Sequence, residues 1–60
     1  MRLKLREWLS IRNMTQKELA KRMGVTQVTV NNWVQGKTKP NIEQLSKLAK
    51  TLDCDVKELI

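Results

Sequence analysis

The sequence predicts a small all-α domain of five helices, and three observations support this fold class. Apolar residues recur in successive stretches at the three- and four-residue spacing of one helix face. Capping residues precede these stretches, and glycines follow two of them. The chain has 60 residues with two Gly, one Pro and neither Phe nor Tyr. This composition favours a single helical domain, residues 1–60, with few helix breakers.

The first two helices are marked by an apolar face and a capping pair. The face of the first helix comprises Leu5, Trp8 and Leu9, and we expect the helix to end near Arg12. Thr15 and Glu18 have the spacing of a capping box, which opens the second helix. Gly24 follows this helix, where a left-handed residue is favoured. The predicted inward residues of the second helix are Leu19, Ala20 and Met23.

The third and fourth helices are separated by a basic loop that contains a proline. Thr26 is the predicted N-cap of the third helix, and Gly36 ends it. Pro40 prevents a simple continuation of this helix, and Asn41 with Gln44 caps the fourth. The predicted inward residues are Val30, Trp33 and Val34 on the third helix and Ile42, Leu45, Leu48, Ala49 and Leu52 on the fourth.

The end of the chain predicts a last short helix, capped by Asp55 and Glu58. Its apolar residues are Val56, Leu59 and Ile60. These three residues either close the core or contact a second copy of the chain, and the sequence leaves both possibilities open. Trp8 and Trp33 are interpreted as core aromatic residues, and Cys54 as a small buried apolar residue.

The composition argues against enzymatic and metal-dependent functions. The chain has no histidine and one cysteine, so the commonest general base, a multi-cysteine metal site and an internal disulfide are missing. No apolar run reaches the roughly 18 residues that a membrane span requires. We therefore expect a soluble, cytoplasmic protein without enzymatic activity, metal, cofactor, small-molecule ligand or membrane association.

Positive charge is concentrated in the part of the chain that holds the first three helices. Residues 1–39 carry nine Lys/Arg against two acidic residues, a net charge of +7, whereas residues 40–60 carry three against four, a net charge of −1. This asymmetry favours a polyanionic partner, although a generic solubilising surface would have the same composition.

The predicted third helix has no charged residue and presents amides and short side chains. Gln and Asn amides can pair with adenine, and Val or Thr methyl groups can pack on the thymine methyl group. The candidate base-reading residues are Gln27, Val28, Asn32, Thr29 and Asn31. Val28 lies off the inward stripe and should point away from the core. Ordinary exposed surface is the alternative for each of these residues.

Phosphate contacts are expected from groups that flank this helix. Gln16 lies at the start of the second helix, where free backbone amides can also meet a phosphate. Thr26, Lys37, Lys39 and Arg12 are the further candidates, and a solvated surface is the alternative for Arg12 in particular.

Together these motifs resemble the phage-repressor and Cro type of helix-turn-helix domain over nearly the whole chain. The matching segments are Thr15-Gln16-x-Glu18-Leu19-Ala20, Met23-Gly24-Val25-Thr26-Gln27, Gly36-Lys37-x-Lys39-Pro40 and Leu48-Ala49-Lys50-x-Leu52. The resemblance implies a compact five-helix bundle in which the residue at Gln16 holds a phosphate, those at Gln27, Val28 and Asn32 read bases, and the loop lysines hold the DNA backbone.

The resemblance also implies a function. The expected function is a sequence-specific transcriptional regulator, a repressor in its simplest form, that binds double-stranded DNA. It would bind as a homodimer to a two-fold operator whose half-sites lie about one helical turn apart. The alternative is a protein-interaction or antitoxin-type module that reuses the same fold without DNA.

One departure from the family pattern concerns a buried pair. The family often places an Arg in the first helix opposite a Glu late in the third, whereas this chain has Leu9 and Val34 there. Because both partners are apolar together, neither leaves an unpaired charge in the core.

Overall fold

The computed structural model describes residues 3–60, which fold into five α-helices without a strand. Residues 1 and 2 of the predicted domain lie outside this range. The helices are α1 (Leu5–Ile11), α2 (Gln16–Met23), α3 (Gln27–Gln35), α4 (Ile42–Thr51) and α5 (Val56–Leu59). The predicted fold class and the order of the helices are confirmed.

Reciprocal capping fixes where α2 and α4 begin. The Thr15 hydroxyl accepts a hydrogen bond from the Glu18 backbone N–H at 3.0 Å, and the Glu18 carboxylate accepts one from the Thr15 N–H at 3.2 Å. Asn41 and Gln44 form the same pair of bonds at 2.8 and 2.9 Å. Two N–H groups that the first turn of each helix would leave unpaired are thereby satisfied.

Left-handed glycines end α2 and α3, as the sequence predicts. Gly24 has φ 72°, and Gly36 has φ 77°. The Gly24 N–H donates to the Lys21 carbonyl at 3.3 Å, and the Val25 N–H donates to the Ala20 carbonyl at 3.0 Å. These bonds satisfy carbonyls at the end of α2 and turn the chain sharply towards α3.

We expect Gly24→Ala to destabilise the fold by about 1–2 kcal/mol through backbone strain alone. A Cβ at this position would meet no atom within 4 Å, so steric contact adds nothing to the cost. Chemical denaturation of Gly24→Ala and Gly24→Asn checks this, since Asn tolerates the left-handed conformation better. An alanine variant as stable as the parent chain would show that the turn relaxes.

The core lies where all five helices meet. Its fully buried side chains are Leu5, Leu19, Leu48, Leu52, Leu59 and Val30. The inward residues predicted for α2 and α3 are all buried, and Trp33 retains only 2% of its surface. Helix α2 packs against both α3 and α4 and so holds α3 in place. The side of α3 that carries Gln27 and Val28 is exposed to solvent.

The predicted burial of four residues needs correction. Ile42 was expected in the core but is 86% exposed, because it is the first residue of α4 and lies beyond the packed part of its stripe. Leu45 is half-buried at the edge of the core. Trp8 and Cys54 are also only partly buried, although both pack against the core.

Hydrogen bonds connect the two ends of the described chain. The Trp8 indole N–H donates to the Glu58 carbonyl at 3.1 Å, and the Lys4 backbone N–H donates to the Leu59 carbonyl at 2.6 Å. The partial exposure of Trp8 follows from this position, since its ring covers α5 while its polar edge reaches the backbone. None of the helices within residues 3–60 is long and apolar enough to cross a membrane.

Candidate nucleic-acid interface

The turn between α2 and α3 presents the start of both helices on one side of the molecule. Gly24 redirects the chain, and Val25 packs partly buried against the core. Thr26 then caps α3 with a hydroxyl that accepts from the Thr29 N–H at 3.2 Å. The two helices pack against each other more extensively than any other pair. The position of α3 is therefore set by α2.

Four of the predicted site residues line one open depression of about 310 Å³. They are Gln16 from α2 and Gln27, Val28 and Asn31 from α3. Gln27 is exposed and Val28 is 68% exposed, whereas Gln16 and Asn31 are half-buried. The structure thus brings the start of α2 and the first turns of α3 into one surface of amide groups and one valine.

This surface is chemically suited to the edges of bases. No acidic residue lies in the first turn of α3, and no charged residue lies in the helix. Each amide carries a donor and an acceptor, which is the arrangement that adenine presents at N7 and N6 in the major groove. A side chain without charge can approach a base edge without repelling the phosphates on either side.

Asn31, rather than Asn32, lines the depression. The resemblance implies a base contact for the residue at Asn32, and that contact stays a prediction. The Asn31 amide oxygen also accepts from the Gln35 amide nitrogen at 3.5 Å, a long bond that orients it along the helix. Asn32 is half-buried on the same helix and keeps part of its side chain in solvent.

Thr26 and Thr29 are engaged with each other. Their hydroxyls lie 2.9 Å apart, within hydrogen-bond distance, in addition to the backbone cap. Thr29 is half-buried and Thr26 is exposed. Both hydroxyls therefore support the start of α3, and whichever of them accepts the shared hydrogen bond keeps its own O–H free to donate.

The predicted phosphate contacts lie at the start of α2 and after the end of α3. Gln16 is the first residue of α2, beside N–H groups that carry the positive end of the helix dipole. Lys37 and Lys39 follow α3 in an exposed loop, and Lys39 also borders a small cleft of about 50 Å³ with Leu3 and Pro40. Gln16 thus belongs to the amide surface itself, whereas the two lysines follow the opposite end of α3 from Gln27.

Arg12 forms hydrogen bonds within the protein, to residues that lie far from it in the sequence. Its guanidinium donates to the carbonyls of Leu52 and Asp53 at 2.8 and 2.9 Å, and it lies 5.2 Å from the centre of the Trp8 ring. The carbonyls at the end of α4 are thereby satisfied by a cation, which the helix dipole favours. Sequence reasoning missed this role, because no local pattern signals a partner 40 residues away.

We expect Arg12→Ala to lower the free energy of unfolding by roughly 1–3 kcal/mol, through the loss of two charge-assisted hydrogen bonds at a partly exposed site. Any effect on DNA affinity should vanish at temperatures where the variant is fully folded. Urea denaturation and a DNA titration on the same sample separate the two roles. A loss of affinity in the fully folded variant would assign Arg12 to the phosphates instead.

The three candidate contacts for a second copy are placed differently. Leu59 is fully buried and has no surface to offer, so it closes the core. Val56 is half-buried against the core, and Ile60 is 50% exposed. Exposed apolar surface is also found at Ile42, which the sequence had assigned to the interior.

Cys54 shows no sign of a reactive thiol. Burial raises the pKa of the Cys54 thiol, and the nearby carboxylate of Glu58 raises it further. A higher pKa leaves less thiolate at neutral pH, and the thiolate is the reactive form. Across residues 3–60, no group of three or more His, Cys, Asp or Glu side chains could hold a metal ion.

Comparison with known proteins agrees with this geometry. A family model described as helix-turn-helix matches residues 4–59. An uncharacterized HTH-type transcriptional regulator of Archaeoglobus fulgidus is 34% identical over 98% of this chain and 83% of its own length. The HTH-type transcriptional activator BcrR of Enterococcus faecalis is 32% identical over 95% of this chain, but over only 28% of its own length.

A similar structure is also known. The crystal structure of a protein from Bacteroides fragilis, described as a candidate DNA-binding protein, superposes with a TM-score of 0.91. It is 28% identical in sequence, and the superposition covers 97% of this chain and 94% of that one.

Proposed function

Because the chain belongs to the helix-turn-helix family of transcriptional regulators, we propose that it binds double-stranded DNA sequence-specifically with the first turns of α3 in the major groove. The observation that carries this proposal is the uncharged surface of Gln16, Gln27, Val28 and Asn31. Lys37 and Lys39, in the exposed loop that follows α3, supply phosphate contacts. Binding alone, without catalysis, is sufficient for this function, which the protein performs in the cytoplasm.

The proposed action is repression by a homodimer on a two-fold operator. One α3 covers only a few base pairs, so a second copy one helical turn away supplies the length that specificity requires. Ile60 is the exposed apolar candidate for the contact between copies, with Val56 beside it. Occupation of the groove then blocks access of other proteins to the same site. One relative is named an activator, and its length outside the matched region is the place to seek that difference.

A salt titration of duplex binding tests the proposed function. Two loop lysines in each protomer give four neutralised phosphates in a dimer. Affinity should therefore fall roughly a hundredfold between 50 and 200 mM salt. Replacing both Lys37 and Lys39 by Ala should flatten this dependence. The matched control is Lys57→Ala, an exposed lysine of α5, which should leave the slope unchanged.

The rival function predicts a different result. A protein-interaction module of the antitoxin type would bind its partner with little dependence on salt and would ignore duplexes even at low ionic strength. Fluorescence anisotropy with a labelled random-sequence duplex first measures the non-specific affinity for DNA. Absence of any binding at low salt would overturn the DNA-binding proposal.

A further inference from the structure

Val28 is an apolar side chain that does not belong to the core. It is 68% exposed in the first turn of α3, whereas Val30 and Val34 of the same helix are 0% and 2% exposed. An exposed valine is ordinary by itself. This one, however, borders the depression in which the other lining residues, Gln16, Gln27 and Asn31, all carry amides.

The chemistry of its side chain restricts what Val28 can distinguish. An isopropyl group has no donor or acceptor, so it reads no hydrogen-bonding pattern. The apolar group that a natural base pair presents in the major groove is the methyl group at C5 of thymine. 5-Methylcytosine carries a methyl group at the same carbon, and unmodified cytosine carries none.

The amide of the neighbouring Gln27 can accommodate the remaining difference between thymine and 5-methylcytosine. Thymine presents an acceptor at O4, whereas cytosine presents a donor at N4. The Gln27 amide can turn its NH₂ to the first or its oxygen to the second. Gln27 is exposed and has no intramolecular hydrogen bond that fixes its amide among the side-chain bonds of residues 3–60.

We infer that Val28 reads the C5 methyl group of a pyrimidine, so that 5-methylcytosine replaces thymine at one position of each half-site and DNA binding responds to cytosine C5 methylation. This inference rests on the proposed function, because it requires α3 to lie in the major groove. It makes Val28 a specificity-determining residue whose ligand is a single methyl group.

The experiment starts from a duplex obtained by random-site selection with the purified chain. Each thymine of the half-site is replaced singly by uracil, which removes only the methyl group, and affinity is measured by anisotropy. At one position we expect a loss of about fourfold per half-site, the value of one buried methyl group. At that position, 5-methylcytosine opposite guanine should bind better than cytosine by a similar factor.

Protein variants assign the effect to Val28. In Val28→Ala the ratio of thymine to uracil affinity should approach one, whereas Val28→Thr, which keeps a methyl group, should retain part of it. Ile11→Ala is the matched control, since Ile11 is an exposed apolar residue of α1, and the ratio should be unchanged. All three changes lie on exposed surface, so the fold is not at risk.

The outcomes separate this inference from the proposed function. If no duplex is enriched in the selection, the proposed function fails. If a half-site is enriched but uracil equals thymine at every position, the protein binds DNA and the methyl-reading inference is wrong. A methyl effect that persists in Val28→Ala would likewise assign the contact to another residue.

Discussion

Leu9→Arg is expected to leave the chain largely unfolded at room temperature. Leu9 is 6% exposed in the core between α1 and α3, and Val34 on α3 is 2% exposed. An arginine there would bury a cation without a partner, which costs about 3–5 kcal/mol. A domain of this length has a free energy of unfolding of about 3–9 kcal/mol, so the cost consumes most of it.

A second change should restore the fold. In Leu9→Arg/Val34→Glu, the resemblance implies that the new cation faces a carboxylate, which recreates the pair that this type of domain often carries. We expect the double variant to recover most of the stability lost by either single change, with a coupling energy of about 2 kcal/mol or more. Urea denaturation followed by tryptophan fluorescence measures all three variants against the parent chain.

The matched control is Ile11→Arg, two residues further along α1. Ile11 is 62% exposed, so its replacement should change the free energy of unfolding by less than about 0.5 kcal/mol. If Leu9→Arg were equally neutral, the arginine would have found solvent, and the packing between α1 and α3 would be looser than the burial of Leu9 indicates.

The helices were predictable because their boundaries depend on neighbours in sequence. The reciprocal bonds of Thr15 with Glu18, and of Asn41 with Gln44, span three residues. The left-handed conformation of Gly24 follows from its place after an amphipathic stretch. Such features are fixed by local sterics and local hydrogen bonds, so a pattern in the sequence is enough to identify them.

Features that depend on distant partners were not predictable in the same way. Arg12 meets the end of α4, and Trp8 meets Glu58 in α5, through contacts that span 40 to 50 residues. Ile42 continues the periodic stripe of α4 and was assigned to the core, yet no neighbouring helix extends far enough to cover it. Periodicity identifies a face of a helix, but it does not show how far the rest of the protein reaches along that face.

The candidate site lies between these two cases. That Gln27 and Val28 face outward follows from the inward stripe of α3, and the exposure of both confirms this part of the prediction. Gln16 lies beside them because of the angle between α2 and α3. This angle could be known only from the resemblance or from the structure. Asn31 lines the depression and the adjacent Asn32 does not, and which of the two contacts a base stays a prediction.

Gln27→Ala is expected to remove the preference for one base pair in each half-site, at a position other than the one whose methyl group Val28 contacts. If the amide pairs with the edge of that base, its loss costs about 1–3 kcal/mol against the selected sequence and little against a sequence changed at that position. Lys39→Ala should behave differently, because a phosphate contact weakens binding to every sequence and lowers the salt slope by about one for each lost contact.

The comparison between these two variants decides whether α3 reads bases. Each variant is titrated with the selected duplex and with duplexes changed at one base pair, at two salt concentrations. Gln27 is exposed and is not part of the core, so its replacement leaves the fold intact and any loss belongs to binding. A Gln27→Ala variant that weakens all duplexes by the same factor would place its amide on the DNA backbone, and base recognition would then have to come from another part of the α3 surface.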